Sequence, residues 1–114
     1  MAAASTVEEY IGGYPPEIRV LLLRLRETLR QAVPSGVETM AFGMPTIMVE
    51  GERAISWSAA KKNVTILTPG SLPQSLAREA EDYRVDDGVQ FPYRKEVPFE
   101  FIADLAKHLA ANRR

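Results

Sequence analysis

Cysteine is absent from this 114-residue chain, which excludes disulfides, thiolate metal sites, iron-sulfur clusters and cysteine nucleophiles and leaves packing as the source of stability. Histidine occurs once, at His108, so no histidine-rich metal site can form. A catalytic histidine would need an orienting partner and a nucleophile at a telling spacing, and neither is visible. Long apolar runs are missing too: none approaches the ~18 residues needed to span a bilayer, and Met1 to Thr6 carries no basic segment or apolar core of a secretory leader. The expected location is the cytoplasm, with no membrane contact. Charge of one sign is also lacking. Net charge is -1 and the pI is about 5.8, so no broad positive field gathers phosphate, and a nucleic-acid partner is not expected. No Gly-x-Gly-x-x-Gly, phosphate loop or Gly-x-Ser-x-Gly occurs; Gly12-Gly13 punctuates a helix, and Ser56 and Ser58 fall in a strand.

What is present is an ordinary globular composition, 46% hydrophobic and 25% charged. It suits one folded domain over residues 1–114. Ser5 or Thr6, with Glu8 or Glu9 three residues on, reads as a capped short helix ending at Gly12-Gly13. Pro15-Pro16 opens a second helix, in which Ile18, Leu21, Leu22, Leu25, Leu29 and Val33 recur at helical spacing until Pro34-Ser35-Gly36. Its outer stripe, Arg19, Leu23, Arg26 and Arg30, suits a solvated face or salt bridges to a sheet edge.

Alternation then replaces helical spacing. Val37 to Phe42 suits a strand with Glu38, Met40 and Phe42 on one side and Val37, Thr39 and Ala41 on the other, and Gly43-Met44-Pro45 is expected to break the ladder. Thr46 to Val49 and Arg53 to Ala59 form a hairpin about Gly51, and Val64 to Leu67 returns after Lys61-Lys62-Asn63. Ser71 with Gln74 marks a capping box for a helix through Leu72, Leu76, Ala80 and Tyr83. Asp87-Gly88 is a turn, Val89 to Phe91 is a short segment that can add to a sheet edge, and Val97-Pro98 starts a last helix with Phe101, Ile102, Leu105 and Leu109 inward. The expected fold is α+β with two layers: an antiparallel β-meander with helices packed on one face. The second face is left open for a ligand or partner.

Arg19, Leu25-Arg26, Pro34, Glu38, Phe42-Gly43-Met44-Pro45, Lys61-Lys62, Tyr83, Gln90-Phe91-Pro92 and Val97-Pro98 together resemble the YdhG-like domain family, over Tyr10 to Arg113. The resemblance implies the fold. It also brings in iron, because a bacterial member is described as a frataxin-like intracellular iron chaperone. Two departures turn away from that role: Asn63 stands where the family often has His, and a frataxin-type acidic ridge on the first helix is reduced to Glu8 and Glu9.

Three functions are weighed. The leading one is a non-enzymatic domain that binds a small ligand or a protein partner on the open sheet face. Its candidate ligand-binding residues are Met44, Trp57, Lys61, Lys62, Gln90 and Tyr93, the lysines supplying charge and the rings stacking area. The alternative is an iron carrier in which Glu79, Asp82 and Asp86, at i, i+3 and i+7 of a continuing helix, supply hard oxygen ligands. The bland readings are solvated charge for these carboxylates and a core position for Trp57. An enzyme with a carboxylate-and-lysine site ranks last. Iron is the one cofactor left open, and a homodimer through an uncovered strand or face fits the expected sheet.

Overall fold

A computed structural model describes residues 4–68 and 72–112. Helix α1, Val7–Gly12, is capped by Thr6, whose hydroxyl accepts from the Glu9 N–H at 3.1 Å. Glu9 reaches back to accept from the N–H of Ser5, the residue before the cap, at 2.9 Å and from its hydroxyl at 3.1 Å. Helix α2, Pro16–Ala32, begins at a proline that lacks only an N–H the first turn would leave unbonded. Its Leu22, Leu25 and Leu29 are buried, as are Phe101, Ile102, Leu105 and Leu109 of helix α4, Phe99–Ala111.

Six strands form one antiparallel sheet: β1 Val37–Ala41, β2 Met44–Val49, β3 Glu52–Ala59, β4 Asn63–Leu67, β5 Arg84–Val85 and β6 Gly88–Pro92, in the order β1-β2-β3-β4-β6-β5. The expected meander is there and is extended by two strands. Val89 to Phe91 adds to the sheet beside β4 as part of β6, and the two-residue β5 then pairs only with Gly88 and Val89. Gly88 fits this place because a Cβ on it would collide with the Ile66 carbonyl oxygen of β4.

The expected break at Gly43-Met44-Pro45 is instead a two-residue hairpin turn. Phe42 and Gly43 both have positive φ (53° and 77°), as do Glu50 and Gly51 (53° and 79°) at the next turn, which is the primed geometry that matches strand twist. Ala41 pairs with Met44 and Met40 with Pro45. In that register the missing N–H of Pro45 faces away from β1, toward β3, where pairing starts only at Thr46. The proline leaves the β1-β2 ladder whole, and it does interrupt the β2-β3 ladder, which stops at Thr46 and Ser56 although β3 runs on to Ala59.

Helix α3, Gln74–Ala80, is shorter than expected and passes into a single 3-10 turn, Glu81–Tyr83, before β5. Ser71 and Pro69-Gly70 lie outside the described residues, as do Arg113 and Arg114. The helices cover one sheet face, where Ile47, Val49, Ile55, Trp57, Val64, Ile66, Val89 and Phe91 are buried with them. At the edge of this layer Arg26 holds Glu38 of β1 with Nε at 2.9 Å from both carboxylate oxygens and Nη2 at 2.7 Å from Oε1, and it also meets Glu8 at 3.0 Å. Hydrogen bonding to Glu38 drives the guanidinium pKa further up from its already high value. This is the sheet-edge salt bridge expected from the arginine stripe.

Candidate functional site: the uncovered sheet face

Strand alternation sends every second side chain away from the helices. On that outer face the pairings set Thr39 beside Thr46 and Thr46 beside Ser56. Ser58 lies beside Thr65, and Thr65 beside Gln90. The rows are bonded: the Thr46 and Ser56 hydroxyls are 2.9 Å apart, Thr46 also donates to the Met44 carbonyl at 3.1 Å, and Gln90 Nε2 donates to Thr65 Oγ1 at 3.1 Å. Exposure along these rows is uneven: Thr39 is exposed and Ser58, Thr65 and Gln90 are half-buried, but Thr46 and Ser56 are buried, at 1% and 4%.

Apolar groups gather at its β1-β2 side. Val37 is 66% exposed, and it pairs with the half-buried Met48; Ala41 pairs with the half-buried Met44. Phe42, in the turn, is 87% exposed. The Arg53 guanidinium lies 5.6 Å from the centre of the Phe42 ring. Because Arg53 pairs with Met48 and Phe42 precedes Met44, this cation-π contact runs along the outer face of β2. Phe42 is unusual on two counts, since a bulky side chain in left-handed backbone is locally unfavourable and this one is not sheltered by a core.

The candidate ligand residues are divided by the sheet. Met44 and Gln90 lie on the outer face. Trp57 does not: it is 2% exposed on the covered face, with Tyr10 edge-on to it at 5.7 Å and 89°. Its parity with Ile55 in β3 places it in the core, so it cannot line a pocket with Met44 or Gln90. Lys62 and Tyr93 do meet, at the end of the sheet, with Lys61 in the same β3-β4 turn. Tyr93 donates its N–H to the Lys62 carbonyl at 3.0 Å and its hydroxyl to the Ala60 carbonyl at 2.9 Å, while both lysines are exposed. Tyr14 donates to the Ala59 carbonyl at 2.7 Å, and the Ala59 N–H donates to the Tyr10 hydroxyl at 2.8 Å. The aromatic groups here hold the β3-β4 turn by its main chain. Burial pushes the Tyr14 and Tyr93 phenols up from the usual tyrosine range, for Tyr14 well beyond it.

The carboxylate set is not assembled. The helix ends at Ala80, so Glu79 lies in α3, Asp82 in the 3-10 turn and Asp86 in the β5-β6 turn, and they do not share a helical face. Among the described residues no group of three or more His, Asp or Glu side chains is placed to hold a metal ion. His108 is half-buried near the end of α4 and meets Asn112 Nδ2 through Nδ1 at 3.2 Å. No helix among the described residues is long and apolar enough to cross a membrane.

The hydroxyl rows and the exposed Phe42 were not singled out from sequence. The period-two alternation of Thr-Ile-Met-Val, Ile-Ser-Trp-Ser and Val-Thr-Ile-Leu carries the signal for the rows. Recognising Phe42 required knowing that the turn begins one residue before Gly43.

This architecture is that of a two-layer α+β domain, and solved structures share the fold. A protein of the DUF1801 family, YdhG from Bacillus subtilis, superposes with a TM-score of 0.70 at 16% identity, covering 94% of this chain and 92% of its own. An uncharacterised conserved protein from Lactobacillus casei superposes with a TM-score of 0.54 at 17% identity, over 90% of this chain and 88% of its own. The chain thus has the YdhG fold expected from its residue pattern. No family model and no curated protein sequence matches it.

Proposed function

We propose that this domain is a binding module that docks a protein partner on the outer sheet face, with Phe42 as the aromatic anchor. The carrying observation is Phe42 itself: a large apolar ring, 87% exposed, held at φ 53° where Asn or Gly would be locally better. An unfavourable backbone state bearing an exposed aromatic is the kind of feature that function, rather than stability, explains. Val37, Met44 and Met48 extend the apolar area, and the bonded hydroxyl rows give a polar, satisfied surround.

The occupant is a protein rather than a small molecule because the surface is a sheet face and not a concavity. Two clefts lie elsewhere: one of about 390 Å³ beside Arg30, Gln31 and Gly36, and one of about 540 Å³ beside Gln74, Ser75 and Arg78. Small ligands favour enclosed, mainly apolar sites, whereas both of these are bordered by polar groups.

A photoreactive phenylalanine at Ser58 or Met48, compared with one at the exposed Lys107 of α4, tests the reading in cells. Adducts with a mass other than two copies of the chain are expected from the outer-face positions alone. Equal adducts from Lys107, or none from the sheet face, would count against it.

A further inference from the structure

We infer that the free edge of β1 pairs antiparallel with β1 of a second copy of this chain, about a two-fold axis at Thr39. β1 is the first strand of the sheet and, among the described residues, has a neighbour on one side only. Its pairing with β2 dictates which main-chain groups are left over. Ala41 and Met44 close a two-residue hairpin and exchange hydrogen bonds, so Thr39 and Val37 also bond toward β2, while Met40 and Glu38 occupy the alternate sites. The N–H and C=O groups of Glu38 and Met40 therefore point to the open edge. No described residue bonds to them there.

These two residues are two apart, which is the spacing a self-pairing strand requires. With Thr39 opposite Thr39 of the second copy, Glu38 faces the second copy's Met40, and each such pair can exchange both main-chain bonds. The central Thr39 pair then sits at a non-bonded site, where side chains come closest. Side chains agree with this register. On the outer face Val37 meets the second copy's Ala41. On the inner face Glu38 meets a methionine and not another glutamate, and Arg26 already holds its carboxylate. Phe42, following Ala41, comes next to the second copy's Val37 and Gly36, so two strongly exposed apolar side chains (66% and 87%) approach each other across the join.

Edge strands elsewhere avoid such pairing with lysine, proline or bulges. β1 has none of these: the sequence Val37-Glu38-Thr39-Met40-Ala41 is regular, and the irregularity of the sheet lies one strand further in, between Ile47 and Met48. Five residues make a small interface, below the area of standard stable complexes, so association depends on protein concentration. The pairing does not rest on the outer-face reading above, because it uses the strand edge.

The absence of cysteine makes the register directly testable in the purified full chain. Thr39→Cys is expected to oxidise to a disulfide-linked dimer. Val37→Cys and Ala41→Cys are each expected to remain monomeric alone and to link to one another when mixed. Sedimentation equilibrium of the unmodified chain is expected to show reversible growth from 12.7 kDa to twice that mass. Thr39→Lys, which sets like charges opposite each other on an exposed site, should raise the dissociation constant about fivefold. A unmodified chain that stays monomeric at every attainable concentration overturns the inference. So does linkage of Val37→Cys alone as readily as Thr39→Cys, since that would require another register. Neither result alters the photo-adduct comparison between Ser58 and Lys107.

Discussion

The two faces of one sheet are built by the same strands and treated oppositely. In β3, Ile55 and Trp57 are buried under helices, while Ser56 and Ser58 point the other way. In β4, Val64 and Ile66 alternate with Thr65, and in β6, Val89 and Phe91 flank Gln90. The covered face carries the large apolar groups whose burial stabilises the fold. The uncovered face keeps small hydroxyl groups bonded to one another and concentrates exposed apolar area at the β1-β2 hairpin. On the proposed reading stability and recognition fall to alternate residues, so substitutions one position apart should have different kinds of effect.

The largest effect should come from the covered face. Trp57→Ala removes a ring packed against Tyr10 and should lower the unfolding free energy by about 3–5 kcal/mol, whereas Ser58→Ala should change it by less than about 0.5 kcal/mol. Urea titrations of the two variants check this, and similar losses from both would break the comparison. Next comes the tie between the helical layer and the sheet edge. Arg26→Ala leaves Glu38 half-buried without its charged donor and should cost about 2 kcal/mol by the same titration.

A smaller effect belongs to the tyrosines that hold the β3-β4 turn. Burial raises the Tyr14 and Tyr93 phenols in the folded state. The stability they contribute is fully present below the unfolded tyrosine pKa of about 10 and is lost as pH rises through the higher folded values. Unfolding midpoints should fall above that pH, with part of the phenolate absorbance appearing only as the chain unfolds. A flat stability profile to about pH 11 would contradict this assignment. The smallest effect, and one of opposite sign, is expected from Phe42→Asn. Relief of left-handed backbone strain should leave stability unchanged or raise it by up to about 1 kcal/mol.

Much of the fold could be read from residues because periodicity and punctuation agree. The leucines of α2, the Thr6 and Glu9 cap and the Glu50-Gly51 turn each state a local structure that tertiary packing does not override. Where the reading went astray, the cause was a register or a pairing partner. Gly43-Met44-Pro45 reads as a break in the first strand until the turn is placed at Phe42-Gly43, after which the missing N–H of Pro45 spares the β1-β2 ladder and instead ends the β2-β3 ladder at Thr46. Val89 to Phe91 looks too short to stand alone because its support comes from β4, which lies more than twenty residues earlier in the chain. The site was less legible for a related reason. Trp57 and Ser58 are neighbours in sequence and lie on opposite sides of the sheet, and only the inward parity of Ile55, Val64 and Phe91 decides which is which. The carboxylates Glu79, Asp82 and Asp86 required helix α3 to continue beyond Ala80. The chain instead turns there to form β5.

The most direct test is the yield of the Ser58 photo-adduct in the Phe42→Asn chain, measured beside its unfolding free energy. Loss of the adduct from a protein at least as stable as the original is the expected result, because the proposed aromatic anchor serves the outer face and not the core. An undiminished adduct would contradict that division between the two faces.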